Sequence, residues 1–172
     1  KKYNIPIFNV VQPSVEYSNK ISQTRKICII GTQATIHSKA YTKSFLDINS
    51  NCTITEIACP LFVPLIEEGW SDSLVAKEVA SIYLTPLKTT QIDTLILGCT
   101  HYPIMAKTIQ LVIENHMQLI YSGETIGEEL QKYLEKNNFT NNKKNTVKTQ
   151  FYVTDFPQKF DEIGGKFLGR KI

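Results

Sequence analysis

Leu95-Ile96-Leu97-Gly98-Cys99-Thr100-His101-Tyr102-Pro103 is the stretch on which the reading of this sequence turns. Its apolar opening, preceded by Thr94 and stopped by Gly98, reads as a short buried strand. A thiol, a hydroxyl and an imidazole follow on the turn. Tyr102-Pro103 then opens a segment of helical period through Ile104, Ile109, Val112 and Ile113, with the proline tolerated in a first helical turn because its missing amide would be unpaired there. The stretch is therefore a strand, a loaded turn and a helix, one βα unit.

Working outward, the same alternation recurs. Ile7–Val11, Lys26–Ile30, Thr53–Ala58, Thr94–Leu97, Leu119–Tyr121 and Thr149–Val153 are strand candidates. Helical periods are expected over Ala34–Leu46, over Ser73–Leu84 with an amino-terminal cap at Ser71-Asp72, from Glu124 to Glu135, and in a short tail helix. Strands alternating with helices imply an α/β fold, a three-layer α/β/α arrangement around a mainly parallel sheet. The Asn/Lys-rich stretch Asn137–Lys144 reads as a solvated connection before the last strand and the tail helix.

The 172 residues are 42% hydrophobic, enough for one ordinary core or one core and part of a second. The longest apolar runs, including Ile27-Cys28-Ile29-Ile30, fall far short of the roughly 20 residues of a membrane span. Nineteen basic and sixteen acidic residues give a net charge of +3 with no basic stripe interleaved by aromatics, so neither a membrane nor a nucleic acid is an expected partner. The opening Lys1-Lys2-Tyr3 carries no targeting segment and is what a fragment would show. Cys28, Cys52, Cys59 and Cys99 form no C-x-x-C pair, which argues against a disulfide framework or a zinc cluster and for reduced thiols in a cytoplasm. Cys28 reads as a small hydrophobe in a strand and Cys52 as a loop residue.

Three strand ends carry candidate chemistry. In open α/β sheets ligands bind beyond the carboxyl ends of the strands, which places Cys99, Thr100 and His101 where an active site would be. The dipole of the following helix favours a thiolate there, and His101 is placed to help generate it. The alternative is a buried Cys99 and a satisfied loop histidine. Gly31-Thr32-Gln33-Ala34-Thr35-Ile36 ends a second strand, where Thr32 and Thr35 read as helix-capping residues or as carboxylate ligands. It lacks the G-x-G-x-x-G spacing of dinucleotide sites. Cys59-Pro60-Leu61-Phe62-Val63-Pro64-Leu65-Ile66-Glu67-Glu68-Gly69-Trp70 delivers two carboxylates to a glycine turn, with Glu67 expected toward a cleft and Glu68 toward water. His37 and His116 are expected at the surface and Trp70 packed against the domain.

Taken together and in this order, G-T-x-x-T-I, C-P-L-F-V-P-L-I-E-E-G and L-G-C-T-H-Y-P resemble the second half of the glutamate racemases, from Ile5-Pro6 to Phe151-Tyr152-Val153-Thr154-Asp155. The resemblance implies two pseudo-symmetric α/β lobes with the active site between them, no cofactor and no metal, and glutamate as the small-molecule substrate, its D form serving peptidoglycan synthesis. It implies that Cys99 is the second-lobe thiol acting on L-glutamate, that His101 and Glu67 are catalytic partners, and that Thr100, His101, Thr32 and Thr35 contact substrate. The family's D-S-G-x-G-G and A-C-N-T segments, the latter bearing the other cysteine, do not occur in these residues. On this resemblance residues 1–13 are a remnant of the first lobe or linker, 14–122 the second lobe, and 123–172 elements that return to the first lobe. Such a chain is expected to be inactive alone, and its exposed tail to favour self-association, as in a homodimer. Other racemases of the superfamily acting on amino acids or hydantoins, and a non-catalytic remnant domain, are the competing readings.

Overall fold

The computed structural model describes residues 5–141 and 149–172. In chain order the elements are α1 (Val11–Ile21), β1 (Lys26–Gly31), α2 (Gln33–Ser38), α3 (Ala40–Asp47), β2 (Thr53–Ala58), α4 (Phe62–Glu67), α5 (Leu74–Leu84), β3 (Thr94–Leu97), α6 (Ala106–Ile113), β4 (Gln118–Tyr121), α7 (Ser122–Lys136) and α8 (Pro157–Leu168). The four strands form one parallel sheet in the order β2-β1-β3-β4, with Ile27 opposite both Ile54 and Thr94, and Leu95 opposite Leu119.

The central strands β1 and β3 are apolar on both faces because helices cover both. Successive residues of β1 point to opposite sides: Ile27 and Ile29 pack with Val15 of α1, Ile36 of α2, and Tyr41 and Phe45 of α3. Cys28 and Ile30 pack with Phe62 and Ile66 of α4, Ala76, Ala80 and Leu84 of α5, and Met105, Ile109 and Val112. Leu95 and Leu97 join the second cluster while Ile96 joins the first. This is the three-layer α/β/α fold that the alternation predicts. After β4 the chain enters α7, which packs on α1: its Thr125 hydroxyl shares a 3.0 Å hydrogen bond with Ser14 of α1 in a buried contact.

Local differences from the sequence reading have identifiable causes. Ile7–Val11 is not a strand: the Asn9 carboxamide accepts from the amides of Val11 and Gln12, capping a helix that the apolar spacing did not reveal. Residues 149–153 pair with no strand among the described residues. Ala34–Leu46 is two helices, broken at Lys39, which is left-handed at φ 55° and bonds Glu56 of β2 at 2.6 Å. The α5 cap is Ser73, which accepts from Ala76 N at 3.1 Å, rather than Ser71-Asp72. Tyr102–Met105 forms a tighter 3₁₀ turn before α6. The segment after Cys59 winds into α4, with Pro64 in an early position that costs no intrahelical donor. Trp70 is 54% exposed, not packed against the domain. In the Asn/Lys stretch, residues 142–144 lie outside the described residues. No helix among them is long and apolar enough to cross a membrane.

Candidate functional site

The chain runs from β1 outward to β2, then returns to the other side of β1 as β3, so its direction across the sheet reverses at the β1–β3 pair. A crevice opens at the carboxyl ends of strands near such a reversal. Gly98 keeps that region tight: its amide donates to the Ile30 carbonyl at 2.8 Å, and a Cβ added there would stand 2.8 Å from the same oxygen. Only glycine lets β3 stay this close to β1 while the chain turns to present Cys99.

Three side chains converge, two from the turn after β3 and one from the end of α4. Cys99 Sγ lies 4.0 Å from His101 Nδ1. The other ring nitrogen of His101, Nε2, lies 3.5 Å from Glu67 Oε1 at the end of α4. Glu67 is half-buried whereas Glu68 is 69% exposed, the division of sides expected from the sequence. The floor is rigid: Tyr102 Oη donates to the Cys59 carbonyl at 3.0 Å, and the Phe62 and Tyr102 rings meet edge to face with centroids 5.2 Å apart. Ser122 Oγ donates to the Leu97 carbonyl at 2.8 Å, which ties the start of α7 to the end of β3.

Burial pushes the Cys99 thiol up, and the amides of His101 and Tyr102 pull in the opposite direction without overcoming it. The field favouring a thiolate, expected from the following helix, is thus outweighed by desolvation. His101 Nδ1 is the ring nitrogen that faces this thiol. Cys59, whose burial pushes it up to about 12, and Cys28, pushed up further by burial beside Cys59 and Glu56, are fully buried. Every cysteine is free.

Cys99 and Thr100 line a cavity of about 340 Å³ with Leu97, Tyr121, Glu124 and Phe167. Thr32 and Thr35 sit at the neighbouring strand end and bond each other at 3.0 Å, with Thr32 Oγ1 accepting from Thr35 N as the α2 cap. They do not line this cavity. His37 and His116 are exposed. No group of three His, Cys, Asp or Glu side chains among the described residues is gathered to hold a metal. The sequence reading expected a tail helix but not its place beside the site: Lys159 Nζ of α8 lies 3.7 Å from Glu67 Oε2, and the Phe167 ring stands edge-on to His101 at 6.4 Å. The only signal for these was the helical spacing of Lys159, Ile163 and Phe167 in the tail.

A parallel α/β domain here brings thiol, imidazole and carboxylate together at a strand-end crevice, a layout suited to proton transfer. The chain belongs to the Asp/Glu/hydantoin racemase family, whose profile matches residues 1–126. It is similar to the glutamate racemase of Sulfurihydrogenibium sp., 41% identical over 165 residues, covering 96% of this chain and 61% of that protein. The Bacillus cereus glutamate racemase is 38% identical over all 172 residues and 64% of its own length. Among solved structures, glutamate racemase isoform RacE1 of Bacillus anthracis superposes with a TM-score of 0.91 at 30% identity, over 99% of this chain and 64% of that one. The Francisella tularensis enzyme in complex with D-glutamate gives 0.88 at 34%, over 98% and 62%. The chain therefore spans less than two thirds of the length of these relatives.

Proposed function

We propose that this chain is the second, Cys99-bearing lobe of a glutamate racemase, a cytoplasmic, cofactor-independent isomerase that interconverts L- and D-glutamate for peptidoglycan. The observation that carries the reading is the Cys99–His101–Glu67 array at the crevice. Inversion at an α-carbon requires a base on one face and an acid on the other. Cys99 would serve the face from which L-glutamate loses its proton: His101 Nδ1 accepts the thiol proton, the thiolate takes the α-proton, and the amides of His101 and Tyr102 stabilise the sulfur anion. An α-proton is much less acidic than a thiol, so the carbanion-like transition state needs fixed donors in a water-poor cleft. Thr100 lines that cavity, and Thr32 and Thr35 sit at the next strand end to meet a substrate carboxylate. The complex of the Francisella relative with D-glutamate supports glutamate as the ligand.

On this reading residues 1–13 are linker or first-lobe remnant, 14–122 the second lobe, and 123–172 return toward the first lobe. Tyr152 and Phe156, 84% and 71% exposed, lie in that last part and suit burial against a complementary lobe or a second copy in a homodimer. The test is racemisation with Cα deuterium incorporation in heavy water, offered glutamate, aspartate and a hydantoin, with Cys99→Ser alongside. One thiol of the pair should give no net inversion of any substrate. Inversion that persists in Cys99→Ser would refute the assigned role.

A further inference from the structure

The helix α8 is twelve residues long, and Lys159 and Phe167 are two turns apart on it, about 12 Å along the axis and on one side. That side faces the site. Lys159 Nζ is 3.7 Å from Glu67 Oε2 and 3.7 Å from Glu68 Oε1, so it bridges both carboxylates at the end of α4. Phe167 lines the Cys99 cavity and stands edge-on to the His101 ring at 74°. Glu67 is the link: one oxygen faces Lys159 and the other faces His101 Nε2 at 3.5 Å.

We propose that Lys159 is a positioning residue for His101, acting through Glu67. With Lys159 on Oε2, the Glu67 carboxylate is held turned so that Oε1 accepts from His101 Nε2–H. A neutral imidazole carries one proton. If Nε2 holds it, Nδ1 presents a lone pair, and Nδ1 is the nitrogen 4.0 Å from Cys99 Sγ. Glu67 thereby selects the tautomer in which His101 can accept the thiol proton, and Lys159 holds Glu67 to that task. Phe167 supports the same orientation by restricting rotation of the ring. This inference rests on the reading of Cys99 and His101 as a proton-transfer pair, and adds to it a residue from a tail helix outside the motifs.

The experiment is nitrogen NMR of the histidine side chains in the 172-residue chain, with the exposed His37 as internal reference, joined to the rate of Cys99 alkylation by iodoacetamide. Wild type should show His101 as the Nε2–H tautomer. In Lys159→Met the His101 signals should move toward the tautomer mixture of His37, and Cys99 alkylation should slow about two- to five-fold, the range an exposed ion pair supports. Lys159→Arg keeps the charge and should behave as wild type. Unchanged His101 signals in Lys159→Met overturn the proposal, as does an equal change in Lys159→Arg, which would mark packing of α8 instead of charge. The underlying reading fails separately: if His101→Ala leaves Cys99 alkylation unaltered, His101 does not assist the thiol, whatever Lys159 does to its tautomer.

Discussion

Replacing Gly98 by alanine tests whether the β1–β3 contact, not merely the strand sequence, presents Cys99. The backbone at Gly98 needs no left-handed conformation, so the added methyl is opposed only by space. That methyl would stand 2.8 Å from the Ile30 carbonyl oxygen, 3.1 Å from Ile29 Cγ2 and 3.2 Å from Tyr41 Cε2. The first neighbour is backbone and the third belongs to a fully buried ring, so neither can step aside without moving β1 or α3. Overpacking of this kind costs about 1–3 kcal/mol. Loss of unfolded-chain freedom on changing glycine to alanine returns about 0.4–1 kcal/mol, leaving a net destabilisation near 1–2 kcal/mol. Urea unfolding followed by circular dichroism reads this as a lower midpoint at unchanged slope. Gly127→Ala in α7 is the control: nothing lies within 4 Å of its added methyl, and a helix-interior glycine replaced by alanine should gain about 0.5–1 kcal/mol. If Gly98→Ala is as stable as the parent, the close approach of β3 to β1 does not constrain the turn, and the geometric account of Cys99 is wrong.

Asp93 is held well below the usual carboxylate range, at about 2: its partial burial works against ionisation, but hydrogen bonds from the Thr24 amide and the Ser22, Thr94 and Thr24 side chains outweigh it. A depressed carboxyl stabilises the fold when ionised, so its contribution is complete above about pH 4 and is lost as pH falls toward 2. Asp93→Asn should therefore cost roughly 1 kcal/mol at pH 7 after solvent screening and little at pH 2, measured by urea unfolding at both values. Iodoacetamide with mass mapping should modify Cys52 and Cys99 in the folded chain and spare Cys28 and Cys59, which are fully buried. The Cys99 rate should climb through pH 8 and 9 without a plateau, because burial raises that thiol. A plateau below pH 8 would show an activated thiolate in the resting chain.

Much of the architecture was legible because buried parallel strands have a plain signature. Lys26–Ile30, Thr53–Ala58, Thr94–Leu97 and Leu119–Tyr121 are short apolar or β-branched runs stopped by turn residues, and all four are strands within a residue or so. Two candidates failed for a shared reason: Ile7–Val11 and Thr149–Val153 have strand-like residues but pair with no strand among the described residues, and pairing is non-local. The break at Lys39 was equally hidden, since its partner Glu56 lies on another element. In the candidate site, Cys99, Thr100 and His101 are adjacent in sequence, and the drift of Glu67 toward the crevice follows from the apolar run before it. Lys159 and Phe167 were illegible because nothing local says that a tail helix lies across a strand end far back in the chain.

The central claim is that Cys99 moves the α-proton of glutamate. Its most direct test joins this chain to the portion of the Sulfurihydrogenibium relative that lies outside their match and follows inversion of glutamate with Cα deuterium incorporation in heavy water. The account predicts a folded chimera that racemises glutamate and loses about a hundred- to ten-thousand-fold of that rate in Cys99→Ser, as removal of an acid–base group does. A folded chimera whose racemisation survives Cys99→Ser would contradict it.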